Sequence, residues 1–252
     1  MPTSPGIRGL VPNLRLPALP SGRRIHLALE HGIIGGAVWP SAVALSEYLQ
    51  TKSKWLLQTN PLTVELGAGT GAVGLYAAAL GARVVLTDVG PLTATGYGGT
   101  TRLLRLLKEN ADANSELFRE GGGAAHVAEL DWGQQKAHAE AIKRAHAPDG
   151  FELLLASDVI YQASGHAVTP LASVMARLLR KDDGFGLIAY TPRYADGVSS
   201  GVCDTQLATF QRAAQGAGLA MEEVHQTSVA DPSCEEGTTQ HPVVVMRVRR
   251  SL

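Results

Sequence analysis

An α/β fold, built on a mostly parallel seven-stranded sheet doubly wound by helices, is what the 252-residue sequence predicts. Three observations carry this prediction. From Thr63 onward, short apolar runs alternate with stretches of helical spacing, the pattern of parallel strands joined by crossover helices. One of the first strands runs into a glycine-rich turn from which a helix departs. Hydrophobic residues make up 45% of the chain and charged residues 18%, enough apolar material for helices to cover a sheet on both sides.

Taken in order, the chain begins with Leu14-Arg15-Leu16 and Ile25-His26-Leu27-Ala28-Leu29, alternating runs on either side of Pro20-Ser21-Gly22. That pattern predicts a short β hairpin, a flap outside the main core. Pro40 then opens a helix over 41–50, since proline suits a first helical turn. Strands are expected at 63–66, 83–87, 126–130, 151–156 and 185–190, with helices at 71–80, 101–113, 134–145, 171–179 and 205–215. Val243-Val244-Val245-Met246 predicts a last strand, paired as an antiparallel final hairpin with one near 219–225. The glycine stretches 96–99 and 121–123 are expected to be surface loops. No internal repeat is visible, and residues 1–252 are expected to form a single domain, 1–35 as flap and hairpin and 36–252 as the core.

Composition excludes several classes. Twenty-two Lys and Arg against 23 Asp and Glu leave a net charge of −1, too little for capture of nucleic acid by bulk charge. The apolar content argues against disorder. Cys203 and Cys234 are the only cysteines, with no CxxC pair, so a disulfide scaffold is out. The longest greasy uncharged run, 66–82, is broken by five glycines and falls short of a spanning helix, so no membrane association is expected. A cytoplasmic monomer is expected; the first 29 residues, with four arginines and no acid, leave organelle import open, though five prolines there oppose an amphipathic helix.

The densest chemical signal is Val64-Glu65-Leu66-Gly67-Ala68-Gly69-Thr70-Gly71-Ala72-Val73-Gly74. A strand, a glycine turn and a helix N-terminus let backbone approach a ligand closely. Asp88 ends the next strand 88 − 67 = 21 positions later, where a carboxylate accepts both hydroxyls of a ribose. Together they specify a nucleoside-containing cofactor. The segment 69–74 also fits G-x-G-x-x-G, so a dinucleotide fold is the competing reading. Glu65 argues against it, because its charge is expected to repel a pyrophosphate and suit a cationic amino-acid group. A second run, Ser157-Asp158-Val159-Ile160-Tyr161, sets an acid and a phenol just past a buried strand, over the C-terminal edge of the sheet.

With Gly36-Ala37-Val38-Trp39-Pro40, Thr87-Asp88 and Leu130-Asp131-Trp132-Gly133 in the same order, the chain resembles the Rossmann-like class-I S-adenosylmethionine-dependent methyltransferases. More narrowly it is similar to the small protein-lysine methyltransferases with E-L-G-A-G-T-G and D-x-x-Y motifs, over roughly 14–249. The resemblance implies S-adenosyl-L-methionine as cofactor and a protein lysine as acceptor. It implies that Gly67, Ala68 and Gly69 line the methionine and ribose, Asp88 holds the ribose hydroxyls and Trp132 lies at the adenine. It further implies that Ser157 offers backbone contacts, that Trp39 helps close the pocket, and that Asp158 and Tyr161 stand nearest the acceptor as the catalytic pair.

The chemistry agrees with those residue types. Methyl transfer from a sulfonium is an in-line displacement helped mainly by alignment and exclusion of water. A lysine with a pKa of about 10.4 is charged at neutral pH, and an acid beside it favours that form, so Asp158 suits positioning better than base catalysis. Bland readings stand beside these. Asp88 has a helix-capping alternative, Trp39 one as the anchor of a helix start, Trp132 one as a packing residue, and Trp55 is assigned to packing. Asn110 and Asn114 resemble asparagines of the family, but an apparent insertion at 91–100 shifts their spacing, and they are not assigned as ligands. The eight histidines show no H-E-x-x-H and no cysteine partner, so no metal is expected, and His138 and His146 are read as solvated. A P-loop is absent. A methyltransferase acting on a small molecule, a catalytically silent cofactor-binding module and, more distantly, an NAD-dependent dehydrogenase remain open alternatives.

Overall fold

The computed structural model describes residues 14–30, 33, 35–89, 101–160, 168–192, 205–230 and 240–251. Its strands are β1 (Leu62–Leu66), β2 (Arg83–Asp88), β3 (Ala124–Glu129), β4 (Leu153–Ser157), β5 (Phe185–Tyr190), β6 (Leu219–Ala230) and β7 (Gln240–Arg250). They form one seven-stranded sheet in the order β3-β2-β1-β4-β5-β7-β6. The first five pair in parallel, whereas β7 runs antiparallel to both β5 and β6, with an irregularity at Glu223/His225. The strand order reverses between β1 and β4, and a crevice opens at such a switch point over the C-terminal strand ends.

Eight α-helices are found among the described residues: α1 (Pro40–Thr51), α2 (Ser53–Thr59), α3 (Ala72–Ala79), α4 (Thr101–Ala113), α5 (Ser115–Gly121), α6 (Gln135–His146), α7 (Val168–Leu178) and α8 (Thr205–Gly216). Alternation along the strands sorts them into two layers. Leu86, Leu155, Leu187 and Val245 face a core closed by α1, α3 and parts of α4 and α5. Val64, Leu66, Leu154 and Ile188 face a second core under α6, α7 and α8. No helix among the described residues is long and apolar enough to cross a membrane.

Each expected strand and helix has its counterpart, with ends shifted by a few residues, but the N-terminal segment departs from expectation. A turn closes at Leu19–Arg23, where Leu19 N–H donates to the Arg23 carbonyl at 2.8 Å, yet the arms on either side form no strand. Nor is the segment a flap outside the core: Leu14, Leu16 and Leu19 are buried against α1 and α3. The Ala18 carbonyl accepts from Gln50 and from the Tyr76 hydroxyl. The extended backbone finds its partners in two amides, that of Asn110 on α4 and that of Asn114 between α4 and α5. Asn114 Oδ1 accepts from His26 N–H at 2.9 Å, and its Nδ2 donates to the His26 carbonyl at 2.7 Å. Asn110 does the same for Ala28, at 2.8 and 3.1 Å. Two side chains one helical turn apart thus satisfy two residues on one edge of an extended chain, doing the work of a neighbouring strand.

The 121–123 stretch is a surface turn, as expected, with Gly122 exposed, but it is a tightly packed one. Gly122 caps α5 in the left-handed region, and a Cβ on Gly121 or Gly123 would collide with the carbonyls of Ala79 or Ala78. These glycines let the end of α5 lie against the end of α3. The 96–99 stretch lies outside the described residues.

Candidate functional site

The glycine turn leaves β1 at the switch point. Gly67, Gly69 and Gly71 take φ of 65°, 55° and 83°, which glycine adopts without strain. A Cβ on Gly67 would stand 2.8 Å from Val159 Cγ1 and 3.4 Å from the Trp132 ring, and one on Gly69 would stand 2.6 Å from the Gly35 carbonyl oxygen. The turn is therefore enclosed by the end of β4, by the indole of Trp132 and by the segment that precedes α1. Ala68 is buried, its N–H on the Thr87 carbonyl at 2.9 Å, and Gly71 N–H closes the turn onto the Ala68 carbonyl at 2.7 Å.

Asp88 ends β2 beside this turn. Its Oδ2 accepts from Gly69 N–H at 2.7 Å and its Oδ1 from Val89 N–H at 2.7 Å. Burial pushes its pKa up, and the two N–H donors pull against that shift. A carboxylate offers about four acceptor positions, so two remain for further donors.

Glu65 is turned away from the crevice. It pairs in register with Leu86 on one side and Leu155 on the other, so its side chain enters the apolar layer beneath α3. It is 1% exposed, and its Oε2 accepts from Gly74 N–H at 2.9 Å. Burial pushes its pKa up to about 8, Gly74 N–H opposes the shift, and the charge of Asp88 adds to it. This corrects the expectation that a charged Glu65 faces the ligand. The group is largely neutral at pH 7 and supports the turn from below, so its charge does not discriminate against a pyrophosphate.

On the other walls, Trp132 opens a short 3-10 turn, Trp132–Gln134, and is half-buried against the second core. The preceding Asp131 is 2% exposed; its Oδ1 accepts from Gly133 N–H at 2.8 Å and its own N–H donates to His138 Nδ1 at 3.2 Å. His138 is thus engaged in holding that turn, and His146 lies against His126 in a tilted ring contact with centroids 4.6 Å apart, so neither is simply solvated. Ser157 ends β4 in register with Ala189. Asp158 follows in the left-handed region at φ 56°, its N–H on the Ala189 carbonyl at 3.0 Å. Trp39 is the N-cap of α1, half-buried, with its carbonyl accepting from Ala42 at 2.9 Å. Tyr161 lies outside the described residues. Glu65 apart, the structure gathers Gly67, Ala68, Gly69, Asp88, Trp132, Ser157 and Asp158 at one edge of the sheet. Asn110, which the sequence leaves unassigned, also donates through its Nδ2 to the Thr70 carbonyl at 2.9 Å.

A family model described as lysine methyltransferase matches residues 24–198. Protein N-lysine methyltransferase METTL21A of Mus musculus is 38% identical over 128 residues, covering 51% of this chain and 49% of that protein. Protein N-terminal and lysine N-methyltransferase efm7 of Emericella nidulans is 27% identical over 175 residues, covering 67% of this chain and 62% of the other. The chain thus spans about half to three-fifths of the length of these two curated relatives. Among solved structures, the glycopeptide N-methyltransferase MtfA complexed with sinefungin aligns with a TM-score of 0.55 at 10% identity, over 89% of this chain and 100% of that one. That is a likeness of fold.

Proposed function

The chain belongs to the lysine methyltransferase family, and from that premise we propose that it is an S-adenosyl-L-methionine-dependent protein-lysine N-methyltransferase. The observation that carries the reading is Asp88 joined to Gly69 N–H at the switch-point crevice. That carboxylate has two acceptor positions to spare beside a glycine turn, a donor and acceptor set that fits a ribose diol with an amino-acid chain on the far side of the turn.

When bound, S-adenosyl-L-methionine supplies a methyl group on a sulfonium, and the departing sulfide needs no acid. In this proposal Gly67, Ala68 and Gly69 form the floor along the methionine and ribose, Asp88 accepts the two hydroxyls, and the Trp132 indole flanks the base. Ser157 presents backbone at the β4 wall. Trp39 is assigned to the rim, where its place at the start of α1 supports a role in holding the wall. Asp158 holds the incoming ammonium, and Tyr161 is assigned to its far side. An acid beside a lysine favours the ammonium, so Asp158 aligns the acceptor while the proton leaves to solvent before transfer. Glu65 acts through the turn it supports. Alignment of this kind contributes much of the acceleration available to a displacement that needs no acid. A cytoplasmic monomer acting on a protein, without nucleic acid, is part of the same reading, supported by balanced charge and only two cysteines.

Calorimetry with S-adenosylhomocysteine and with NAD, followed by transfer of a labelled methyl group to lysate proteins, tests the proposal. Binding of the first ligand alone, and label recovered on lysine, are expected. Failure of S-adenosylhomocysteine to bind ends it, and label recovered only in small molecules moves the acceptor to that class.

A further inference from the structure

We infer that Asn110 is a positioning residue for the cofactor site, fixing the glycine turn and the N-terminal segment as two walls of one crevice; this rests on the methyltransferase reading above. One planar amide, on a residue 1% exposed, makes three bonds to two separate pieces of backbone. Its Oδ1 accepts from Ala28 N–H at 2.8 Å, while its Nδ2 donates to the Ala28 carbonyl at 3.1 Å and to the Thr70 carbonyl at 2.9 Å. Both amide protons are therefore used, one on each wall.

The bond to Thr70 is the informative one. The peptide joining Thr70 to Gly71 has its N–H on the Ala68 carbonyl at 2.7 Å, so Asn110 fixes the other end of the same peptide plane. One residue earlier, Gly69 N–H is fixed by Asp88, and the Gly35 backbone leaves Gly69 no room for a Cβ. The turn is thus held by Asp88 on one side, Gly35 on another and Asn110 on a third. Glu30 N–H donates to the Gly36 carbonyl at 2.9 Å, so the chain that Asn110 grips at Ala28 is tied to the stretch that covers Gly69. Loss of Asn110 releases the turn and its cover together.

Asn114 supplies the internal comparison. It makes the same pair of bonds to His26, and its other amide proton goes to the Asn110 carbonyl at 2.7 Å. It too is 1% exposed and makes three bonds, but it does not reach the glycine turn. A merely structural ladder predicts that the two asparagines are equivalent.

The test compares Asn110→Ala with Asn114→Ala for thermal unfolding, for S-adenosylhomocysteine affinity and for turnover. Both variants are expected to melt lower by similar amounts. Asn110→Ala is expected to weaken ligand affinity and raise the KM for S-adenosylmethionine by roughly fivefold or more, with kcat at saturation within about twofold. Asn114→Ala is expected to stay within about twofold in affinity. Equal affinity losses in the two variants, or none in Asn110→Ala, overturn the inference. Should Asn110→Ala not fold, amide exchange in the wild-type protein decides: ligand is expected to slow Ala28 N–H more than His26 N–H, and equal effects overturn the inference. If wild-type protein binds no S-adenosylhomocysteine, the methyltransferase reading fails first and this inference with it; normal wild-type binding with equivalent variants sinks this inference alone.

Discussion

Glu65 Oε2 and the Gly74 N–H are joined by a buried 2.9 Å hydrogen bond beneath the start of α3. The bond ties the end of β1 to the helix that the glycine turn feeds, from the side opposite the crevice. It also explains the residue pair. Glutamate reaches across the apolar layer only where its acceptor meets a donor, and glycine at 74 leaves space for it, since a Cβ there would collide with Glu65 Oε2 and Leu86 Cδ2.

The pH dependence of stability follows from the same carboxyl. Glu65 has an ordinary value of 4.5 and is pushed up to about 8 in the fold. Between these values the folded chain holds a proton that the unfolded chain has released, so stability falls as pH rises through that window and levels off above it. Glutamine keeps an oxygen for Gly74 N–H and does not titrate. Glu65→Gln is expected to differ from wild type by a constant below about pH 4.5 and to gain progressively on it up to about pH 8. Urea unfolding of both proteins across this range checks it, and parallel stability curves would contradict it.

Gly74→Ala tests the packing half of the relationship. Alanine improves intrinsic helix propensity by about 1 kcal/mol, whereas forcing an extra carbon into a packed core costs about 1–3 kcal/mol. The collision with Leu86 and Glu65 decides the sign, so the variant is expected to be destabilised despite its better propensity. Equilibrium denaturation measures this; a gain in stability would mean that the layer beneath α3 yields readily.

Much of this architecture was legible in the sequence, for identifiable physical reasons. Strands β1 to β5 are short apolar runs bounded by polar or glycine residues, and periodicity reports such runs directly. The N-terminal segment reads as a hairpin because Leu14, Leu16, Leu27 and Leu29 alternate as a strand would. Alternation records which side of an extended chain is buried, but it cannot say whether the backbone partner is another strand or the amides of Asn110 and Asn114. Glu65 reads as a ligand-facing charge because it borders the glycines. The parity of β1 sets it against Leu86 and Leu155, and only the pairing register exposes that. The short helices α2 and α5 were missed for want of pattern: α2 buries Leu56 alone, and α5 buries only Leu117 and Phe118.

Asp88→Asn probes the cofactor side of the site. Asparagine keeps one carbonyl oxygen but turns an NH2 group toward a backbone donor, and it loses the charge that strengthens bonds from ribose hydroxyls. Hydrogen bonds to charged groups contribute about 1.5–3 kcal/mol each, so affinity for S-adenosylhomocysteine is expected to fall at least roughly tenfold. Calorimetry reads this directly. Wild-type affinity in the variant would remove Asp88 from the ligand and leave it as a support for Gly69.

Asp158 separates binding from transfer. It follows β4 directly and precedes Val159, whose Cγ1 lies 2.8 Å from where a Gly67 Cβ would stand, so its backbone runs beside the glycine turn. Its backbone sits at φ 56°, where alanine is strained by about 1–2 kcal/mol but asparagine is tolerated. Asp158→Asn therefore removes the charge while sparing the backbone, and Asp158→Ala adds the strain. If the carboxylate aligns an ammonium acceptor, both variants are expected to bind S-adenosylhomocysteine as wild type does and to lose transfer at least roughly tenfold, the scale of one charge-assisted bond. Only the alanine variant is expected to melt measurably lower. Parallel calorimetry, methyl-transfer assays and thermal unfolding distinguish the outcomes: unchanged turnover in Asp158→Asn excludes the positioning role, and a loss of ligand affinity in both variants places Asp158 on the cofactor.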